Sequence, residues 1–311
     1  MPDPCRSDSG LAGFVSAALA RIHSEMRASA PQMAGPVSRW MSSLPETGRG
    51  EDYFSGGREV ILLLPWILEN SFRSPDLEFQ RDLVYSSVNA YYFIRLIDNA
   101  TDQRGETELA LLPAASFFHG RFQAAYFRYF PAGHPFWEFL EATCALMAEA
   151  AICDAAAREI TREHFEQVTA RKTVGLRIPL AAVCYRYGRL ELLKPWQRFY
   201  DVLACLNQLM NDLLDWQDDL EHGVQTLILS EARRRKAEGQ SVIGWLVTGG
   251  FGWAKERAVS CIEDLERLRP ALASSDLDAY WKDRVREVLG ILNSLTEEMG
   301  PLADLARLLE G

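Results

Sequence analysis

Apolar residues recur every three or four positions along most of the chain, from about residue 11 to its end. This spacing places them on one face of an α-helix, whereas the strict alternation typical of strands is nearly absent. Leu, Ala, Glu and Arg, which favour helix, are abundant. The pattern therefore predicts an all-α protein of roughly ten long helices.

Short clusters of glycine, proline and polar residues separate the predicted helices. Gly133, Gly223 and the pair Gly249-Gly250 are among these turn signals. Since no repeat or long linker divides the chain, we predict a mobile N-terminus at residues 1–10 and a single domain over residues 11–311. A helical bundle of this kind carries its binding sites in its core, on side chains from facing helices.

The composition argues against several classes of protein. The 311 residues include 33 Lys and Arg against 43 Asp and Glu, a formal net charge of −10. Nucleic-acid-binding proteins usually present a basic face, so we expect no nucleic-acid partner. No apolar run reaches the roughly 18 residues of a transmembrane helix, and the N-terminus lacks the apolar core of a secretory signal. Six scattered cysteines without a CxxC pair are typical of reduced thiols, which predicts a cytoplasmic protein.

The first candidate site is an acidic pair at the end of an apolar, aromatic helix. Asp98 and Asp102 are four residues apart and therefore share one helix face. We expect this helix to be buried and to end at Gly105. Carboxylates at a helix C-terminus meet the negative end of the helix macrodipole, so the pair is unfavourable unless a cation compensates it.

A second acidic row lies in a later helix. Asn211, Asp215 and Asp219 occupy successive turns of one face, and His222-Gly223 predicts the helix end. Like charges at this spacing destabilise a helix by about 0.2–0.5 kcal/mol per pair, which a divalent cation would reverse. Oxygen ligands with room for water and phosphate suit Mg²⁺, with Mn²⁺ as an alternative. The other interpretation is that these acids are solvated surface groups.

Arg171 and Lys172 form a cationic pair between the two acidic segments. Their helix is otherwise amphipathic, so adjacent cations in it need an anion. Lys172 would meet a diphosphate as a point charge, and Arg171 could bind it through two parallel hydrogen bonds. The alternative is an intramolecular salt bridge, and the sequence leaves both open.

Together these segments resemble the motifs of the trans-isoprenoid synthase superfamily, which includes prenyl diphosphate synthases, squalene-type synthases and class I terpene cyclases. The Asn211, Asp215 and Asp219 row is similar to the second metal motif of the cyclases, and Gln208 precedes it as in the synthases. The resembling segments are, in chain order, Ser55-Gly56-Gly57-Arg58, Asp98-Asn99-x-x-Asp102, Lys172-Thr173 and Gln208 to Asp219.

The resemblance implies an isoprenoid synthase fold with a central active-site cavity, and a homodimer is common among such proteins. It also implies three Mg²⁺ ions that clamp the diphosphate of a linear allylic prenyl substrate. The implied metal ligands are Asp98, Asp102, Asn211, Asp215 and Asp219, and the implied catalytic residues are Asp98, Asp102, Asn211, Asp215 and Lys172. Diphosphate would bind to Arg171, Lys172, Arg104 and Arg58. The candidate wall residues of an apolar pocket are Tyr91, Phe93, Ile94 and Trp216, for which ordinary core packing is the alternative.

Cationic positions that the family uses for two diphosphates are missing here. Glu59 follows Arg58, Arg104 stands without a second arginine, and Val224 replaces a lysine. A chain-elongating synthase needs two diphosphate sites, so these departures favour a class I terpene synthase, a lyase that releases a terpene hydrocarbon or alcohol. A prenyltransferase, either elongating or coupling head to head, and a catalytically degenerate binding or regulatory homologue remain open.

Overall fold

The computed structural model describes residues 5–44, 54, 59–72, 74–101 and 106–310. Side chains are described for these residues except 5–9, 101, 106–108, 155 and 302–310. Within these ranges the chain forms helices and no strand, which confirms the predicted all-α class. The prediction of roughly ten long helices is wrong in number, because the described ranges form fifteen α-helical segments and several span only one or two turns.

Many of the α-helices are separated by only a few residues, whereas residues 43–59 separate the second helix from the third. In chain order they are α1 (Cys5–Ser29), α2 (Pro31–Ser42), α3 (Val60–Asn70), α4 (Leu77–Thr101), α5 (Glu106–Leu111), α6 (Ala114–Ala124), α7 (Pro135–Ala156), α8 (Arg162–Lys172), α9 (Arg177–Arg186), α10 (Leu193–Leu214), α11 (Trp216–Glu221), α12 (Leu227–Arg235), α13 (Val242–Trp245), α14 (Phe251–Leu268) and α15 (Ser275–Glu310). None of the helices described is long and apolar enough to cross a membrane.

The chain divides into two compact units. The first contains Met1–Phe139 and Pro179–Arg189, and the second contains Leu140–Ile178 and Leu190–Gly311. The single domain expected over residues 11–311 stays a prediction.

Helix α4 is the centre of the first unit and packs on α1, α3 and α6. Its side chains are buried around most of its circumference, with Val88, Tyr92 and Leu96 at its core. This confirms that a buried helix precedes the first acidic pair. The helix ends at Thr101, and the end expected at Gly105 lies outside the described residues.

Helix α10 has the same central place in the second unit, where it packs on α8, α12 and α14. Trp196, Phe199, Leu203 and Leu206 are fully buried at intervals of three or four residues, which is the stripe of a helix with one face in the core. Phe199 meets the ring of Trp281 from α15 edge-on at 6.0 Å between centroids. This packing holds α10 in place up to its C-terminal end, where the second acidic row lies.

The predicted turn signals have two different outcomes. Gly133 and Gly223 adopt positive φ angles of 79° and 69°, a left-handed conformation that glycine reaches without the clash of a Cβ. Gly249 and Gly250 form no turn, because they lie in the π-helical stretch Leu246–Gly250. Glycine permits close packing there instead, since a Cβ on Gly250 would lie 2.8 Å from the ring of Trp245.

Candidate functional site

Asp98 lies in the last turn of α4, in the first unit, with a half-buried side chain. The neighbouring Asn99 is buried. Three other predicted site residues, Asp102, Arg104 and Arg58, lie outside the described residues. The structure therefore places Asp98 at the predicted helix end, and its pairing with Asp102 stays a prediction.

The candidate wall residues Tyr91, Phe93 and Ile94 are partly exposed on α4. Tyr91 packs edge-on against Phe54 with ring centroids 4.9 Å apart, and the ring of Phe93 lies 4.8 Å from that of His119. These contacts belong to the aromatic packing of the first unit. Part of each side chain nevertheless stays accessible, as a wall residue requires.

Trp216 differs from these three residues because only 7% of it is exposed. It is the first residue of α11 and packs edge-on against Phe251 of α14, with ring centroids 6.2 Å apart. The side chain therefore anchors the start of α11 in the core of the second unit, directly after Asp215. Its role as a wall residue stays a prediction.

The second acidic row lies where α10 gives way to α11. Asp215 separates the two helices with φ −100° and ψ 7°, so the helix expected through the row is interrupted there. The N–H of Asp215 still donates to the carbonyl of Asn211, and the N–H of Asp219 donates to that of Asp215, both at 2.9 Å. These bonds keep the three residues on successive turns, as the spacing predicts.

The end of α11 confirms the predicted helix end at His222-Gly223. The N–H of Gly223 donates to the carbonyl of Leu220 at 3.4 Å, and that of Val224 donates to the carbonyl of Asp219 at 2.8 Å. Together with the positive φ of Gly223, these bonds form a Schellman motif. Asp219 is half-buried within this turn, whereas Asn211 and Asp215 are exposed.

Asp212 was not among the predicted site residues, yet it is the buried acid of this region, with 3% of its surface exposed. Gln208 Nε2 donates to one carboxyl oxygen at 2.7 Å, and the N–H of Leu227 donates to the other at 3.3 Å. Because Leu227 opens α12, Asp212 ties the end of α10 to the start of α12. The available signal was Gln208, which lies one helical turn before Asp212.

Burial also changes the acidity of this carboxyl group. Desolvation raises the pKa of Asp212 to about 7, against the opposing effect of the two hydrogen bonds from Gln208 and Leu227. The negative charges of Asp219 and Asp154 act in the same direction as desolvation and contribute to this value.

Lys172, the last residue of α8, forms a salt bridge with Asp154 of α7. Its Nζ donates to Asp154 Oδ2 at 2.6 Å, and the two side chains are 41% and 32% exposed. The structure thus contains the intramolecular salt bridge that was the alternative for this cationic pair. Arg171 is exposed beside it.

Asp154 acts on two residues of the second unit. Its carboxylate binds the Lys172 ammonium directly, and its charge acts on the pKa of Asp212 in the same direction as that of Asp219. Lys172, Asp154 and the second acidic row all belong to this unit.

The oxygen atoms of the row suit a magnesium ion whose remaining ligands come from a substrate and from water. Among the side chains that the structure describes, no three His, Cys, Asp or Glu groups form a ready metal-binding set. Mg²⁺ is usually held by one or two carboxylates together with phosphate oxygens and waters. Asp215 and Asp219, with the amide oxygen of Asn211, fit a site of that kind and do not form an all-protein cage.

Comparison with known proteins yields no match, either to a protein-family model or to a curated protein. The likeness to isoprenoid synthases therefore rests on the sequence motifs of this chain alone.

Proposed function

We propose that this protein is a class I terpene synthase, which ionises a linear allylic prenyl diphosphate with Mg²⁺ and releases diphosphate and a terpene hydrocarbon or alcohol. The observation that supports it best is that Lys172, with its salt bridge to Asp154, belongs to the same compact unit as the second acidic row. That unit therefore contains both oxygen ligands for a divalent cation and a cation for phosphate. A diphosphate bound to metal needs both kinds of group.

In this proposal different side chains of the second unit bind metal, bind diphosphate and fix the helix end. Asn211, Asp215 and Asp219 would hold metal, which when bound supplies Lewis-acid charge to the leaving diphosphate. Lys172 would donate hydrogen bonds to a diphosphate oxygen and stabilise the negative charge that grows as the carbon–oxygen bond breaks. Asp212 contributes through position, because it fixes the end of α10 from which the row projects.

The family resemblance also implies a role for α4 of the first unit, in which Asp98 would be a metal ligand. Tyr91, Phe93 and Ile94 keep accessible surface on the same helix and would line an apolar pocket. Aromatic faces stabilise a carbocation by cation–π attraction, and an apolar pocket excludes the water that would quench it.

A prenyltransferase is the second candidate. The hydrogen bond from Gln208 to Asp212 favours it, because the prenyl diphosphate synthases carry a glutamine at the corresponding place before their second acidic motif. The missing cations beside Arg58 and Arg104 count against it, since coupling of two substrates needs a second diphosphate site.

The proposal is tested by product analysis. The purified protein is incubated with Mg²⁺ and, separately, with geranyl, farnesyl or geranylgeranyl diphosphate, and extracts are examined by gas chromatography and mass spectrometry. A terpene hydrocarbon or alcohol from one substrate alone supports the cyclase. Turnover that requires added isopentenyl diphosphate supports the prenyltransferase, and the absence of product in every incubation supports the degenerate binding homologue.

A further inference from the structure

The salt bridge between Asp154 and Lys172 involves the very ammonium group that the proposed function assigns to diphosphate. The contact is direct, at 2.6 Å between Lys172 Nζ and Asp154 Oδ2. A lysine ammonium is a compact charge with three donors, and a carboxylate seated on it competes with phosphate oxygens for the same position.

Asp154 also faces a second residue of α8. Its other oxygen lies 3.8 Å from Nε2 of His164, which belongs to the first turn of that helix, and this separation exceeds hydrogen-bond distance. Thr161 caps the helix by accepting the N–H of His164 at 3.1 Å. His164 and Lys172 are eight residues apart and so share a face of α8. The carboxylate of Asp154 is therefore positioned between two side chains of one helix face.

The same carboxylate carries charge of the same sign as the acidic row, which lies in the same unit. A bare diphosphate that approaches Lys172 is repelled by these acids and must displace Asp154. A diphosphate that carries Mg²⁺ has part of its charge neutralised, and its metal is attracted by the acids that repel the bare anion.

We propose that Asp154 competes with diphosphate for the ammonium of Lys172 and thereby makes the site select metal-loaded diphosphate over free diphosphate. This inference rests on the proposed function, because it takes Lys172 as a diphosphate ligand. Both side chains are partly exposed, so the salt bridge is weak enough for phosphate to replace the carboxylate.

The test is calorimetric titration of the whole protein with inorganic diphosphate, once in EDTA and once with Mg²⁺. In EDTA, Asp154→Asn is expected to bind diphosphate about two- to fivefold more tightly than the wild type, the range of an exposed ion pair. With Mg²⁺ the gain is expected to be smaller. Asp154→Glu, which keeps the carboxylate, is expected to behave as the wild type.

Two further variants separate a specific effect from a general one. Glu149→Gln removes the same charge from an exposed position of α7 and is expected to leave the affinity unchanged. The gain from Asp154→Asn is expected to vanish in the double variant with Lys172→Ala. The inference is overturned if Asp154→Asn changes nothing, if Glu149→Gln gives an equal gain, or if the gain persists without Lys172.

These outcomes differ from a failure of the proposed function. If Lys172→Ala leaves diphosphate affinity unchanged with Mg²⁺ as well, Lys172 is not a diphosphate ligand, and the proposed function loses its main support. If Lys172→Ala weakens binding and Asp154→Asn has no effect, the proposed function stands and the role of Asp154 is refuted. Circular dichroism of each variant checks that the helices are intact.

Discussion

The hydroxyl of Tyr187 donates a hydrogen bond to Glu69 Oε1, and its oxygen accepts the N–H of Asp76 at 2.8 Å. Glu69 is fully buried, and its other carboxyl oxygen has no hydrogen-bond partner among the residues described. Desolvation raises the pKa of Glu69 to about 7, although the bond from Tyr187 opposes the shift. Among nearby charges, Asp76 raises this pKa and Arg186 lowers it.

This burial predicts a stability that depends on pH. The pKa of Glu69 in the folded protein lies above the ordinary glutamate value of 4.5. The contribution of Glu69 to folding stability is therefore complete below pH 4.5 and is lost as the pH rises to about 7. The free energy of unfolding of Glu69→Gln, relative to that of the wild type, is expected to be about 1–3 kcal/mol higher at about pH 8 than at about pH 5. Urea unfolding of both proteins at the two pH values measures this change.

An exposed acid provides the control for that prediction. Glu149→Gln carries the same chemical change at an exposed site and is expected to show no comparable dependence on pH. If Glu69→Gln differs from the wild type by the same amount at both pH values, the carboxyl of Glu69 does not titrate in this range, and the prediction is wrong.

The bridge between α10 and α12 is expected to matter for folding. Asp212→Ala leaves the Gln208 amide and the N–H of Leu227 without their acceptor, which is expected to lower the free energy of unfolding by about 1–3 kcal/mol. Asp218→Ala, an exposed acid of the next helix, is the matched control and is expected to change stability by less than about 0.5 kcal/mol. Equal effects of the two substitutions in urea unfolding would contradict the role of Asp212.

Removal of a proposed metal ligand should reduce turnover without unfolding the protein. Asn211→Ala and Asp98→Ala are each expected to lower Mg²⁺-dependent product formation by on the order of 100-fold or more. Asn211 is exposed and Asp98 is half-buried, so the helical circular dichroism signal is expected to stay unchanged. Full turnover in both variants would show that the metal is held elsewhere.

Gly249 and Gly250 of the π-helical stretch allow the same substitution to be compared at a crowded and at an open position. In Gly250→Ala the new Cβ meets the Trp245 ring at 2.8 Å, so overpacking is expected to destabilise the protein by about 1–3 kcal/mol. In Gly249→Ala the Cβ meets nothing within 4 Å, and alanine is expected to be neutral or to stabilise the helix by up to about 1 kcal/mol. Thermal or urea unfolding of both variants provides the measurement, and equal effects would refute the contact.

Local features of this structure were predictable from the sequence, because short-range spacing determines them. The buried stripe of α10, the turn at Gly223 and the succession of Asn211, Asp215 and Asp219 all follow from the repeat of a helix. The interruption at Asp215 was not visible, since the residues around it have an uninterrupted helical pattern.

Features that depend on packing between helices could not be predicted in the same way. Asp154 lies on a different helix from Lys172, and no motif marks it as the partner. The burial of Asp212 depends on α12, and the role of Gly250 depends on the position of the Trp245 ring. Sequence spacing locates residues along one helix face but does not state which side chain from another helix will meet them.

The short length of α11 has a consequence for any attempt to redesign the acidic row. A helix of six residues is too short to be stable by itself, so its geometry is imposed at its two ends. At one end stands Asp215, and at the other the Gly223 turn fastens the backbone of Asp219. The position of Asp219 therefore depends on the turn at Gly223, which is not among the proposed metal ligands. Substitutions in that turn would shift Asp219 while the acidic side chains stay unchanged.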